Sequence, residues 1–332
     1  MDLDAYAAAH GSDWAELESL ARRRRHTGEE ADRLVELYQS GTSQLSTMKS
    51  SAGASIPGER LSLSLSTARL RFTGAGRNVA SQVPSFFVVQ LPAALYRVRW
   101  VTLVVAAVTA VVAILFAVWI QGDPAVLATF GSEEFRKQFA TQDFVKYYSN
   151  NAPSSFTGQV WTNNAYIAAQ SVAFGITGVY VPYILLTNAM NVGIDAGILA
   201  DQGRLHYFFL YIAPHGQLEL YSLFTAMAAG LMIFWAWIAP GTHRTRGQAL
   251  AEDGRALITI AVGLAISLLM SGVIEGFVTR QPWPWAIKIG IGTVALLIFL
   301  TYQWIIGGRA HRAGQTGDLE EFESGARQLV AG

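Results

Sequence analysis

His215 and Glu219 are the two residues of this sequence best placed to do chemistry. They stand four apart in PHGQLELYSLFTAMAAG, Pro214–Gly230, so on a helix an imidazole and a carboxylate share one face. Such a pair can pass a proton, hold a cation or hydrogen-bond. Gly216 lies between them. Pro214 suits the first position of a helix, which would set Glu219 near the positive end of the dipole. Other polar groups punctuate apolar stretches in the same way. Asn163 and Asn164 stand at the mouth of one, Asn188 and Asn191 at its far end, and Glu275 near the end of a later one, with Arg280 just beyond. An ionisable group in the bilayer costs roughly 2.5–3.5 kcal/mol on insertion scales. A chain that keeps several pairs them and often uses them. The expected polar intramembrane cluster is therefore Asn163, Asn164, Asn188, His215, Gly216, Glu219 and Glu275.

Three uses compete for that cluster: mutual hydrogen bonding, a path for a proton, ion or small polar solute, and metal binding. The third is weakest, because a catalytic zinc takes three protein ligands and only His215 and Glu219 are in register. No metal and no cofactor is expected. HExxH, nucleophile-elbow, Walker A and GxGxxG patterns are absent, so no catalytic residue and no enzyme is predicted.

Composition sets the frame. Of 332 residues, 52% are hydrophobic and 14% charged, against about 25% charged in a soluble domain. The charge is concentrated in residues 1–99. The formal net charge of +0 gives no case for a nucleic-acid partner. With no cysteine there are no disulfides or thiolate metal sites. The opening MDLDAYAAAHGSDWAE is acidic and polar, unlike a signal peptide, so the N-terminus is expected in the cytoplasm.

Residues 1–82 read as a cytoplasmic helical region. Trp14, Leu17 and Leu20 or Ala21 fall on one face, and Thr27-Gly28-Glu29-Glu30 is a capping box. It starts a helix that carries Leu34, Val35, Tyr38, Leu45 and Met48. In RLSLSLSTARLRF, alternating leucines suggest a strand, while Leu61, Leu65, Ala68 and Phe72 fit the preferred helix. Arg22–Arg25 reads as a solvated helix end. Residues 83–99 form an expected interfacial elbow helix, with an apolar run at Phe86–Leu91 and anchors at Tyr96, Arg97, Arg99 and Trp100.

The transmembrane bundle is expected over 100–308, interrupted by a polar extracytoplasmic segment at 121–164. There SEEFRKQFATQDFVKYY places Phe135, Phe139 and Val145 at helical spacing. Val101–Ile120 is long enough to cross, since about 20 apolar residues suffice. Ala165–Thr187, Leu218–Ile238, Ala256–Phe277 and Ala286–Ile306 follow. Five crossings would put the C-terminus outside, yet GTHRTRGQALAEDGR and GGRAHRAG carry arginines that favour the cytoplasm. Six crossings are therefore preferred, with Asn188–Pro214 as a discontinuous third and 309–332 as a cytoplasmic tail. Small residues recur at four-residue spacing: Ser171 with Gly175, Gly193 with Gly197, Ala226 with Gly230, Gly272 with Gly276. They let helices approach closely, within a bundle or a homodimer. The predicted fold class is an all-α polytopic membrane bundle.

Three blocks resemble the stage II sporulation protein M family of prokaryotic integral membrane proteins. FTGQVWTNNAYIAAQSVAFGITG carries Asn163, Asn164, Gly175 and Gly178; ILLTNAMNVGIDAG carries Asn188 and Gly193. PHGQLELYSLFTAMAAGL carries the most specific run: His215, Gly216, Glu219, Leu220, Ala229 and Gly230. The resemblance implies a non-enzymatic multi-pass scaffold of the cell membrane. The namesake recruits peptidoglycan-degrading enzymes in endospore formers, so cell-envelope proteins and membrane lipids are the expected partners, with a homodimer as the expected assembly. A channel or transporter is the alternative function. Lipid binding or membrane shaping is a second, resting on the elbow and on Trp283, Trp285 and Trp304.

Overall fold

Long apolar runs separated by polar, turn-forming stretches leave a chain little choice but stacked helices, because backbone groups in lipid must bond within their own segment. The computed structural model describes residues 3–23, 26–52, 55–72, 83–148, 152–242 and 244–317, and no strand occurs among them. The chain divides into two compact units, one within residues 1–82 and one from residue 83 onward.

The first unit holds three helices, α1 Leu3–Arg22, α2 Gly28–Ala52 and α3 Ile56–Phe72. Leu17, Leu20, Ala21, Leu34, Leu37, Met48, Leu61, Leu65 and Ala68 make its core. Each large aliphatic side chain buried there contributes about 1.5–3 kcal/mol. The capping box forms as read: Glu30 N donates to Thr27 Oγ1 at 3.3 Å and Thr27 N to Glu30 Oε2 at 3.0 Å. Residues 61–72 are helical, with Leu63 pointing outward. Val35 is exposed and Leu37 takes its place in the core. Arg33 ties α2 to α1 through Glu16 at 2.9 Å. Of the arginine run, Arg22 pairs with Glu18 and Arg23 with Glu30, while Arg24 and Arg25 lie outside the described residues.

The second unit begins with α4, Val83–Gly122, a single helix of 40 residues. At about 1.5 Å per residue it is about 60 Å long, twice the hydrocarbon thickness. The stretch read as a separate elbow is continuous with the helix of the first crossing. A π-helical turn at Phe86–Gln90 leads into Pro92, and Leu91, Ala93, Ala94, Leu95 and Val98 are buried in the bundle. Two short helices, α5 Pro124–Thr129 and α6 Glu133–Gln138, are capped by Asp123 and Ser132. A π turn, Phe139–Asp143, joins α6 to α7, Phe144–Tyr147. The buried face of this segment is Ala140, Phe144 and Tyr148; the expected Phe135 is exposed.

Then come α8 Pro153–Ala173, α9 Tyr180–Asp201, α10 Leu205–Ile238, α11 Arg246–Thr279 and α12 Trp285–Arg312. Of these, α4, α9, α10, α11 and α12 are long and apolar enough to cross a membrane. Their outward faces are oily: Val104, Val111 and Ile114 on α4, and Val294, Leu297 and Ile298 on α12, are exposed. Two breaks differ from expectation. The supposed second span, Ala165–Thr187, is interrupted at Phe174–Val179, where a 3-10 turn ends on Gly178 at φ +73°. Asn188–Pro214 contains no unwound crossing: it holds the end of α9, a turn at Gln202–Arg204 and the start of α10. The Gly-Ile-Thr-Gly sequence, rather than the charges at Asp195 and Asp201, marks the turn.

Glycines of the small-residue pairs stand where helices meet. A Cβ on Gly175 would strike the Gly230 backbone, and one on Gly230 would strike Ser171, so α8 and α10 cross in direct contact. Gly193 lies against Ala113 O and Gly197 against Ala117 O, seating α9 on α4. Gly272 and Gly276 admit Thr157 of α8, and Ala226 is fully buried. The expected tail also starts late. Arg97 donates to Thr316 O at 3.2 Å, Thr259 Oγ1 to Gly317 O at 3.3 Å, and Gly317 lies against Ala94. Residues 318–332 lie outside the described residues.

Candidate functional site

Helix α10 is the hub: α4, α8, α9, α11 and α12 all pack on it. No residue of it from Leu210 to Phe234 is exposed, so polar side chains in that stretch must find partners on other helices. Pro214 lies inside α10, nine residues after its first residue. This corrects the reading that it opens the helix; Glu219 sits well inside the helix, far from any dipole end.

The partners come from α11, which runs antiparallel. On α10 the polar stripe is His215, Glu219 and Ser222; on α11 it is Ser267, Ser271, Glu275 and Thr279. A four-residue step advances about 40° around a helix and the three-residue step from Glu219 to Ser222 turns back about 60°, so each stripe stays on one side and the two zip together. Ser222 Oγ and Ser267 Oγ are 2.7 Å apart. Ser271 Oγ donates to Glu219 Oε2 at 3.2 Å and approaches His215 O at 3.1 Å. His215 Nε2 faces Glu275 Oε1 at 3.6 Å, and Nδ1 faces Thr279 Oγ1 at 3.3 Å. The α11 end of this zipper is a π-helical turn, Ile274–Thr279; its extra residue per turn brings both Glu275 and Thr279 onto His215.

From α8, the buried Asn164 side chain is directed at the Glu219 carboxylate. Its neighbour Asn163, about 100° further around α8, is exposed. Asn188 also stays apart: its amide donates to Ile184 O of its own helix at 2.8 Å. Gly216 is buried, and a side chain there would press on Ile212. The structure thus brings together Asn164, His215, Glu219 and Glu275, and adds Ser271, Thr279 and Tyr148. Ser271 and Thr279 were legible, one turn either side of Glu275. Tyr148 was not, since a loop carries it. Its ring lies 6.0 Å from that of His215. Burial, then the nearby Glu275 charge, pushes the Tyr148 hydroxyl above its ordinary range, so it stays protonated.

A cavity of about 360 Å³ reaches this centre, lined by Tyr148, Tyr211, Thr279, Arg280, Trp285 and Lys288. Lys288 Nζ is held by Thr279 O at 3.0 Å and Gln281 O at 3.1 Å, above the Trp285 ring. At the opposite end of the bundle, Arg97 pairs with Asp253, which Arg244 also approaches at 3.6 Å. Nearer the middle, Tyr221 Oη donates to Gln303 Oε1 at 2.6 Å and Gln303 Nε2 to Leu95 O at 2.9 Å, which locks α10, α12 and α4 together.

Apolar outer faces around a paired acid, imidazole and hydroxyl centre define a polytopic helical membrane protein. Residues 102–280, more than half of the chain, match the family model of stage II sporulation protein M, and the chain belongs to that family. Every member of the polar centre lies within the matched stretch; of the adjoining cavity's residues named above, only Trp285 and Lys288 lie outside it. Residues 4–74, which carry α1 to α3, match a domain of unknown function (DUF8413). No curated protein and no solved structure matches the chain.

Proposed function

We propose that this protein is a non-enzymatic scaffold of the cell membrane, of the stage II sporulation protein M type, that gathers envelope- and wall-remodelling partners and works as a homodimer. The family match over residues 102–280 carries the reading. The packing agrees with it, because the polar stripes of α10 and α11 make most of their contacts with one another and so help to fix the bundle. Polar surface for partners is offered by α5 to α7 at one end and by the first unit.

Orientation follows from where the arginines gather. Arg97, Arg99, Arg244, Arg246, Arg309 and Arg312 belong to the end of the bundle where α4 starts and α12 finishes. By the preference of arginine for the cytoplasm, that end is cytoplasmic, with α8 as the sixth crossing. Gly247 and Ala313 are both exposed there. Cysteines placed at these positions in the cysteine-free chain are expected to label from the cytoplasm only; labelling of both from outside the cell would mean an odd number of crossings.

The scaffold itself is tested by crosslinking in native membranes followed by pull-down. Recovery of cell-envelope proteins is expected, and recovery of the protein alone refutes it. The cavity beside Tyr148 and Thr279 favours a second reading, a path for an ion or small polar solute. Glu219→Gln separates the two: a scaffold loses thermal stability, whereas a conductor loses flux in liposomes while staying folded.

A further inference from the structure

Two carboxylates and an imidazole in the centre of an oily bundle raise a question of charge. One ligand atom each from His215, Glu219 and Glu275 lies within 4.8 Å of the others. Among the described residues, His215 is the only basic side chain in ion-pair range of either glutamate. Glu275 is 3% exposed, and its second oxygen, Oε2, is buried without a hydrogen-bond partner. A buried carboxylate oxygen left unpaired costs more than a neutral group would. Something other than protein should occupy the space between these atoms.

The hydrogen bonds around His215 fix what it can offer. The Thr279 hydroxyl donates to Ile274 O at 3.4 Å, so its oxygen is left to accept from His215 Nδ1–H. That places the lone pair on Nε2, the nitrogen facing Glu275. A ring held through one N–H by a second group, with its other nitrogen bare and turned to carboxylates, is the arrangement of a metal-ligating histidine. Ser271 and Asn164 hold Glu219 in the same supporting manner.

We propose that His215 Nε2 and the carboxylates of Glu219 and Glu275 bind one divalent first-row transition ion, of which zinc is the representative. Two carboxylates, a neutral imidazole and a dication sum to zero charge, the state an apolar bundle tolerates best. One nitrogen and two oxygens suit zinc or its neighbours, whereas calcium takes six to eight oxygens and magnesium a near-octahedral, largely hydrated shell. Ligands about 2.0–2.2 Å from a tetrahedral zinc stand roughly 3.3–3.6 Å apart. The His215–Glu275 pair is already at 3.6 Å, so binding requires only that Glu219 close by about 1 Å, a rotamer adjustment. The nearby cavity is lined by Tyr148 and Thr279, which contact the His215 ring, and by the cations Arg280 and Lys288.

Full-length protein in detergent, stripped with a chelator, loaded with zinc and desalted, gives the test. Elemental analysis should find one zinc per chain, and zinc, but not magnesium, should raise the melting temperature. Glu275→Gln should weaken zinc binding at least about tenfold. Should that variant misfold, X-ray absorption on the zinc-loaded wild type still decides. One imidazole with oxygen ligands is expected; two or more imidazoles would put the ion on other histidines, away from the α10–α11 centre, and overturn the proposal. Retention of no more zinc than a His215→Gln/Glu275→Gln double variant overturns it too and leaves protons shared between the carboxylates. Zinc content is read on the isolated protein, so it stands or falls independently of any scaffold partner.

Discussion

Ser271→Ala removes one oxygen from the centre of the bundle and leaves the fold of α11 untouched, since alanine is the better helix former. Ser271 is fully buried, and its hydroxyl serves Glu219 Oε2 at 3.2 Å and His215 O at 3.1 Å. Its single proton bonds well to only one of them at a time, and the carboxylate is the stronger acceptor. With alanine there, the Glu219 carboxylate keeps only Asn164. Leaving a buried acceptor unpaired costs about 1–3 kcal/mol. Interhelical hydrogen bonds in a membrane bundle average about 0.6 kcal/mol with a maximum near 1.7. The expected loss is therefore about 1–2 kcal/mol, at the upper end because the acceptor is an acid. The assay is equilibrium unfolding of chelator-treated protein by SDS in mixed micelles, followed by far-UV circular dichroism. A cycle with Glu219→Gln should show coupling of at least about 0.5 kcal/mol, as contacting residues do. If Ser271→Ala lies within about 0.5 kcal/mol of wild type and is additive with Glu219→Gln, the two side chains do not share a hydrogen bond and the polar zipper is wrong.

Gly230→Val should destabilise the bundle by about 1–3 kcal/mol in the same assay, because its side chain would meet the Ser171 backbone and Val181. Gly158→Ala on α8 has open space around it and should be neutral or stabilising, by up to about 1 kcal/mol; equal losses at both sites would refute the crossing. In the first unit, the Arg33 hydrogen bond holds the Glu16 carboxyl below its ordinary 4.5, and the Thr27 N–H does so for Glu30. A depressed folded value means stability that is present above 4.5 and is lost as pH falls below it. Hydrogen exchange of α1 and α2, corrected for intrinsic rates, should lose protection over that acid range. Arg33→Gln should shrink the loss, and an unchanged pH profile would count against the link.

The fold was readable wherever hydropathy alone decided it. Val101–Ile120, Leu218–Ile238, Ala256–Phe277 and Ala286–Ile306 each fall within one long helix, and the capping box at Thr27 forms, whereas Ala165–Thr187 is split by a turn. Boundaries failed where a polar residue had two explanations. Pro214 resembles a helix start, yet α10 runs through it, since tertiary packing in a bundle tolerates the missing N–H. Asp195 and Asp201 suggested a broken crossing, but the break falls at Gly175–Gly178, where the glycines make the turn. The elbow at 83–99 was read from aromatic anchors, which mark depth in a membrane without saying whether a helix ends there. Within the site, a four-residue repeat identified His215 and Glu219. The same repeat on α11, Ser267–Ser271–Glu275–Thr279, needed the antiparallel partner to acquire meaning. Asn163 and Asn164 are adjacent in sequence and about 100° apart on α8, so only one of them could face inward.

The register between α10 and α11 underlies the cluster, its hydrogen bonds and the cation site alike, and one measurement reads it directly. Ser222 Oγ and Ser267 Oγ stand 2.7 Å apart in a chain with no cysteine. Ser222→Cys/Ser267→Cys should form a disulfide readily in native membranes under mild oxidation, while Ser222→Cys/Ser271→Cys, one turn out of register, should not. Efficient crosslinking of the second pair with none of the first would place His215 and Glu275 on different levels of the bundle and contradict the account.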